Sequence, residues 1–195
     1  MTSPQPPARI LVVCTGNICR SPAVERLLAA RLVGSDVEVT SAGTRAVVGH
    51  PVSDLMVPLV RGAGASADGF AARQLTADLV RDADLVIALT RGHRSAIVEL
   101  VPAAVRRTFT LLELARLVAH VDPTVVHAAG SPGDRVRALP TLAAAVRHVA
   151  GQGDDDVEDP IGGNEAVYQA SYDQMAPAVA TIATALQGWS PAATA

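Results

Sequence analysis

Lysine is absent from this chain, and all 16 basic residues are arginine. Aromatic residues make up only 3% of the 195 positions, so a core must be built from Ala, Val and Leu. With the abundant alanine, the missing lysine reads as the bias of a GC-rich genome rather than an adaptation. The arginines are interleaved with acids to a net charge of −3, and no basic run or aromatic stripe marks a nucleic-acid partner. The five histidines show no ligand spacing, so neither a metal site nor a cofactor is implied. "MTSPQPPAR" at the start has no apolar stretch of the signal-peptide kind, and no apolar run approaches a membrane span. A cytoplasmic protein is therefore expected, with reduced thiols and no structural disulfide. Cysteine is scarce too: Cys14 and Cys19 are the only two, and both fall inside "VVCTGNICRSP".

What is present suits one globular domain, since 49% of residues are hydrophobic. The expected organisation is a disordered tail over 1–8, a domain over 9–188 with an insert at about 116–157, and a second tail over 189–195. "RILVV" (9–13) reads as a buried strand, and "SPAVERLLAARLV" places Val24, Leu27, Leu28 and Leu32 at helical spacing. "VEVTS" (37–41), "DLVIAL" (84–89) and "RTFTLL" (107–112) read as further strands, the last followed by helical "LELARLV". Ser53, Thr76 and Thr90 are placed as helix caps. Residues 119–138 read as irregular and "LPTLAAAVRHVA" as a helix. "GQGDDDVEDPIGG" reads as an acidic loop, and residues 164–187 as a closing helix weakened or kinked by Pro177. Alternating strands and helices predict an α/β fold, a parallel sheet with helices on both faces.

Cys14 would end the first strand at the carboxyl edge of that sheet, where open α/β folds bind ligands. The residues after it form a strand-to-helix loop whose amides can converge on an anion, helped by the helix N-terminus. Gly16 allows close backbone approach, and Asn17 tolerates a left-handed conformation and can brace the loop. Ser21 fits the helix cap and Pro22 its first turn. The thiolate is the nucleophilic form of cysteine. Loop amides, the helix terminus and Arg20 would all favour it, and Arg20 can grip two oxygens of a tetrahedral anion. A sulfur nucleophile inside an oxyanion cradle suits attack on phosphorus.

The string "CTGNICRSP" resembles the signature loop of the low-molecular-weight protein tyrosine phosphatases and their arsenate reductase relatives. "SAGT" (41–44), "GHP" (49–51), "AARQL" (71–75), "DADLVIALTRGHR" (82–94) and "EDPIGG" (158–163) follow in the family's order. The resemblance implies a three-layer, flavodoxin-like fold with a four-stranded parallel sheet. It implies Cys14 as nucleophile, Arg20 as phosphate clamp, and Asp159, of an Asp-Pro pair, as general acid and base. Thr15, Gly16, Asn17, Ile18, Cys19 and Arg20 would bind the phosphate, with Ser21 and Ser41 in support. Cys19 would be a redox partner that shields Cys14 from irreversible oxidation. The expected substrates are phosphorylated proteins or small phosphoesters, and a bacterial tyrosine kinase is the partner the resemblance suggests.

The chain departs from that pattern at the substrate walls, which read Ala46, Val47, Val48 and Ile161 where aromatic residues are usual. Phe70 stands near the family's bracing histidine, and Tyr168 and Tyr172 are assigned to helix packing. His93, at a polar helix start, is placed on the surface, and Asp154, Asp155, Asp156 and Glu158 are read as a solvated acidic face. Asp122-Pro123 is a second Asp-Pro pair, in the insert, which would roof the pocket or form a contact surface. Three alternatives stay open. An arsenate reductase would need an external small thiol, because no cysteine follows Cys19. A phosphatase for non-aromatic phosphoesters is the second. Its phosphoarginine variant is disfavoured by Ile18, where such relatives carry threonine. The third is a phosphate-binding module without turnover.

Overall fold

The computed structural model describes residues 6–188. The expected tail at 189–195 and the first five residues lie outside that range. Strand β1 (Ala8–Cys14) is followed by α1 (Arg20–Arg31), β2 (Val37–Gly43), α2 (Val57–Gly62), α3 (Ala77–Asp82), β3 (Leu85–Ala88) and α4 (Arg91–Leu100). A 3₁₀ turn at 102–107 leads to β4 (Thr108–Thr110), α5 (Leu111–Val118), α6 (Pro123–Ala128), α7 (Pro132–Ala145), α8 (Arg147–Ala150) and α9 (Glu165–Gln187). The four strands form one parallel sheet in the order β2-β1-β3-β4. Ala8, expected in a tail, is fully buried in β1 opposite Val37.

Alternation along β1 sorts the core into two layers. Ala8, Ile10, Val12 and Cys14 face the side packed by residues of α1, α5, α7 and α9. Leu11 and Val13 face a smaller cluster with Val80 of α3, Ile97 of α4 and Ala104 of the 3₁₀ turn. Each Val, Leu or Ile so buried contributes about 1.5–3 kcal/mol. Thr76 and Thr90 cap α3 and α4, accepting from Leu79 and His93 amides. Ser53 does not cap: α2 starts later, and the Ser53 hydroxyl meets Tyr168 Oη at 3.0 Å. Helix α9 continues through Pro177. No helix among the described residues is long and apolar enough to cross a membrane.

The insert departs most from expectation. Residues 119–138 are not irregular. Asp122-Pro123 starts α6, with the Asp122 carboxylate accepting from the Thr124 amide. Ser131-Pro132 starts α7 with a reciprocal cap between Ser131 and Asp134. Both pairs are a cap followed by proline in the first turn, a start signal that resembles a loop when read without the helix behind it. The candidate helix "LPTLAAAVRHVA" is the end of α7 plus α8. Nor does the insert roof the cavity described below: Val136, Leu139 and Ala143 of α7 are fully buried in the main core cluster. Arg135, also buried, donates to Leu186 O of α9 at 3.0 Å.

Candidate active site

Strand β1 delivers Cys14 to the carboxyl edge of the sheet, and residues 15–19 turn back into α1. Asn17 is the one non-glycine residue with positive φ (54°) among the described residues. Its orientation fixes a chain of protons. The Arg73 amide can only donate, and it donates to Asn17 Oδ1 at 2.9 Å. Asn17 Nδ2 therefore gives its two protons to Ser21 Oγ (2.9 Å) and Ser41 Oγ (2.8 Å). Ser21 Oγ, accepting there, also lies 2.9 Å from Cys14 Sγ, to which its own proton can be given. The Asn17 amide adds a second donor to that sulfur at 3.3 Å. Ser21 thus serves the sulfur and not the helix cap, and α1 starts at Arg20 with no side-chain cap.

Arg20 is 4% exposed. Its Nη1 donates to Val157 O at 3.1 Å, and its Nη2 to Asp159 Oδ2. Asp159, at 44% side-chain exposure, reaches the cavity from a loop that is itself pinned. Val157 N donates to Leu89 O at the end of β3, Glu158 N to Gln174, and Ser171 of α9 donates to Glu158 O. The acids before Asp159 are not all solvated. Asp155 is buried between Arg116 (2.6 Å) and Arg91 (3.2 Å), and Asp156 accepts from the Arg91 amide at 2.7 Å. Their partners lie dozens of residues away, so the run alone could not reveal these roles.

Cys19 lines the same cavity and is also tied to α9. Its sulfur is 3.4 Å from Tyr168 Oη, and burial pushes its thiol pKa up. Both thiols are free and buried. Tyr168 packs in the core, as expected for a helix-packing residue, and its hydroxyl also ties α9 to the loop through Cys19 and Ser53. Tyr172 packs partly buried against the same cluster.

His93 is not a surface residue. It is 7% exposed, 2.8 Å from Thr15 Oγ1 through Nε2 and 2.9 Å from Thr90 Oγ1 through Nδ1. Burial, and next the charge of Arg20, lower its pKa from 6.5 to about 4. Glu25, which carries no motif signal, accepts from Ser41 Oγ at 2.6 Å, and burial raises its carboxyl above the usual range. Phe70 lies under the Arg26 guanidinium, 5.4 Å from ring centroid to charge, and takes no part in the Asn17 network.

Segment 43–47 is laced onto the loop. Thr44 N donates to Cys14 O, Arg45 N to Thr15 O and Val47 N to Gly16 O, each at 2.9 Å. Gly43 is required here, since a Cβ would meet Thr15 O at 2.5 Å. The resulting cavity is about 270 Å³. Cys14, Cys19, Arg20 and Asp159 line it with Thr15 and Gly16, and Ile18, Val47 and Ile161 supply aliphatic wall. Ala46 and Val48 do not line it: Val48 is 65% exposed, and Ala46 is tied through its amide to Gln74. Arg45, unremarked in the sequence, does line it. Among the described residues its side chain has neither hydrogen bond nor ion pair.

A family model for the low molecular weight phosphotyrosine protein phosphatases matches residues 9–125. The chain belongs to this phosphatase family. The low molecular weight protein-tyrosine-phosphatase Etp of Escherichia coli (strain K12) is 45% identical over 93 residues, 48% of this chain and 62% of Etp. The chain therefore spans under two thirds of Etp's length. A protein-arginine-phosphatase of Geobacillus stearothermophilus is 32% identical over 181 residues, 93% of this chain and 97% of the relative. The crystal structure of the Erwinia amylovora tyrosine phosphatase AmsI superposes with a TM-score of 0.63 at 26% identity, covering 89% of each chain. The parallel four-stranded sheet is the family's architecture. Asp122, of the second Asp-Pro pair, caps α6 and does not line the cavity.

Proposed function

We propose that this member of the phosphatase family hydrolyses phosphomonoesters, protein phosphotyrosine first, through a phosphocysteine intermediate. One observation carries the reading: a single cavity brings together the hydrogen-bonded sulfur of Cys14, the buried guanidinium of Arg20 and the carboxyl of Asp159. In the first step the Cys14 thiolate attacks phosphorus, the P–O bond to the leaving group breaks, and protonated Asp159 gives that oxygen its proton. Arg20, turning from Asp159 to the phosphoryl oxygens, offsets their charge. In the second step Asp159 takes a proton from water, the hydroxide attacks phosphorus, and the S–P bond breaks. The Ser21 hydroxyl donates to the departing thiolate along its 2.9 Å contact.

Arg45 at the cavity edge supports phosphotyrosine over phosphoarginine, because its cation disfavours a guanidinium leaving group. The whole-length likeness to a protein-arginine-phosphatase keeps phosphoarginine as the second reading. We place the protein in the cytoplasm, acting on phosphorylated proteins such as a bacterial tyrosine kinase, and the two free thiols suit a reducing compartment. Initial rates on phosphotyrosine, phosphoserine and phosphoarginine peptides, and on arsenate with a small thiol, test the assignment. Cys14→Ser and Arg20→Ala should abolish turnover of p-nitrophenyl phosphate, and Asp159→Asn should lower kcat about a hundredfold. Full activity in Asp159→Asn moves the acid elsewhere, and turnover of arsenate alone replaces hydrolysis by reduction.

A further inference from the structure

A second hydrogen-bond chain enters the cavity from α4 and takes no part in the steps above. One proton arrangement satisfies every donor in it. The His93 amide donates to Thr90 Oγ1 at 3.1 Å, so that oxygen already accepts. The Thr90 hydroxyl proton then has one partner among the described residues, His93 Nδ1 at 2.9 Å. Burial and Arg20 keep the imidazole neutral with a single ring proton, and with Nδ1 accepting from Thr90 that proton is on Nε2. That proton goes to Thr15 Oγ1 at 2.8 Å. The Thr15 oxygen accepts from inside the protein, and its own proton is left for the cavity it lines beside Cys14, Arg20 and Asp159.

We propose that Thr15 is a further catalytic residue, whose hydroxyl donates a hydrogen bond to an oxygen of the bound phosphoester, and that His93 is the positioning residue that aims it. The proposal rests on the phosphatase reading. It makes two chains of one design: Asn17 aims Ser21 at the sulfur, and His93 aims Thr15 at the oxygens. A donor aimed in advance needs no reorganisation as charge builds on the transferring group.

Thr15→Val keeps the branched shape and removes the donor, and Thr15→Ser keeps the donor. With p-nitrophenyl phosphate, Thr15→Val is expected to lower kcat about tenfold or more. It should weaken inhibition by vanadate, a mimic of the five-coordinate phosphorus, by a similar factor. Thr15→Ser should stay within about threefold of wild type. His93→Ala should lower kcat with Thr15 present and change little in the Thr15→Val background, because its effect passes through the hydroxyl. Unchanged kcat and vanadate inhibition in Thr15→Val overturn the proposal. An equal His93→Ala loss in both backgrounds does the same, by making the histidine a packing residue. A wild-type protein that turns over no phosphoester removes the phosphatase reading itself, and this assignment with it.

Discussion

At the floor of the cavity, Asn17, Ser21 and Ser41 are buried, and their side chains bond one another, Arg73, Glu25 and the sulfur of Cys14. At its mouth, Val47 and Ile161 are 39% and 58% exposed, and the Arg45 side chain makes no polar contact among the described residues. The floor is tightly tied: each of these three side chains makes at least two hydrogen bonds. The mouth is held mainly through its backbone, by the amides of residues 44, 45 and 47 and by the Gln74 side chain on Thr44 and Ala46. On the phosphatase reading, the groups around the sulfur are held in advance, while groups that would meet the rest of the substrate are less tied. This chain's relatives include both tyrosine and arginine phosphatases.

The comparison breaks most readily at Asn17. Asn17→Ala removes three hydrogen bonds, two of them buried, and puts alanine at φ 54°, and it should cost about 3 kcal/mol of stability along with most activity. A urea midpoint within error of wild type would show that the network is dispensable. Next comes acid. The folded state lowers the His93 pKa to about 4 from 6.5, so between those values the unfolded chain binds the extra proton. The contribution of neutral His93 is whole above about pH 6.5 and lost as pH falls toward 4, on the order of 2 kcal/mol after solvent screening. Arg20, Asp159 and Asp156 are the charges that bear on this group. Urea midpoints at neutral and acid pH should fall more steeply for wild type than for His93→Gln, and parallel slopes would assign the acid loss elsewhere.

Most of the architecture was legible because strands and amphipathic helices repeat within short windows, as at 9–13 and 84–89. Caps at Thr76 and Thr90 were equally local. Cys14, Arg20 and Asp159 were visible through motif spacing, and the structure places all three on one cavity. What stayed hidden depends on distant partners. His93 reads as a polar helix start until Thr15 is placed against it 78 positions away, and Asp155 reads as solvated until Arg116 reaches it. Helices α6 and α7 were lost because Asp-Pro and Ser-Pro signal turns as well as helix starts.

Smaller effects should come from the mouth. Ile161→Trp adds a ring beside the leaving group and should lower KM for aryl phosphates about fivefold, with alkyl phosphates little changed. Equal shifts for both substrate types would mean added area and not stacking. The smallest effect is expected at Arg45. Arg45→Glu should lower kcat/KM for phosphotyrosine peptides with acidic flanks by a few-fold, under about 1 kcal/mol, and salt should erase the difference. Salt-independent loss would show that the arginine shapes the wall rather than supplying charge.

Helix α7 also bears on how this protein can be handled in the laboratory. The family match ends at residue 125, yet Val136, Leu139 and Ala143 lie deep in the same core as Ile10, Val12 and Ile87. A fragment trimmed to the matched stretch would lose this helix together with α9, and would present a bare apolar sheet to solvent. Such a fragment should aggregate instead of giving a minimal enzyme, so expression boundaries belong beyond Leu186.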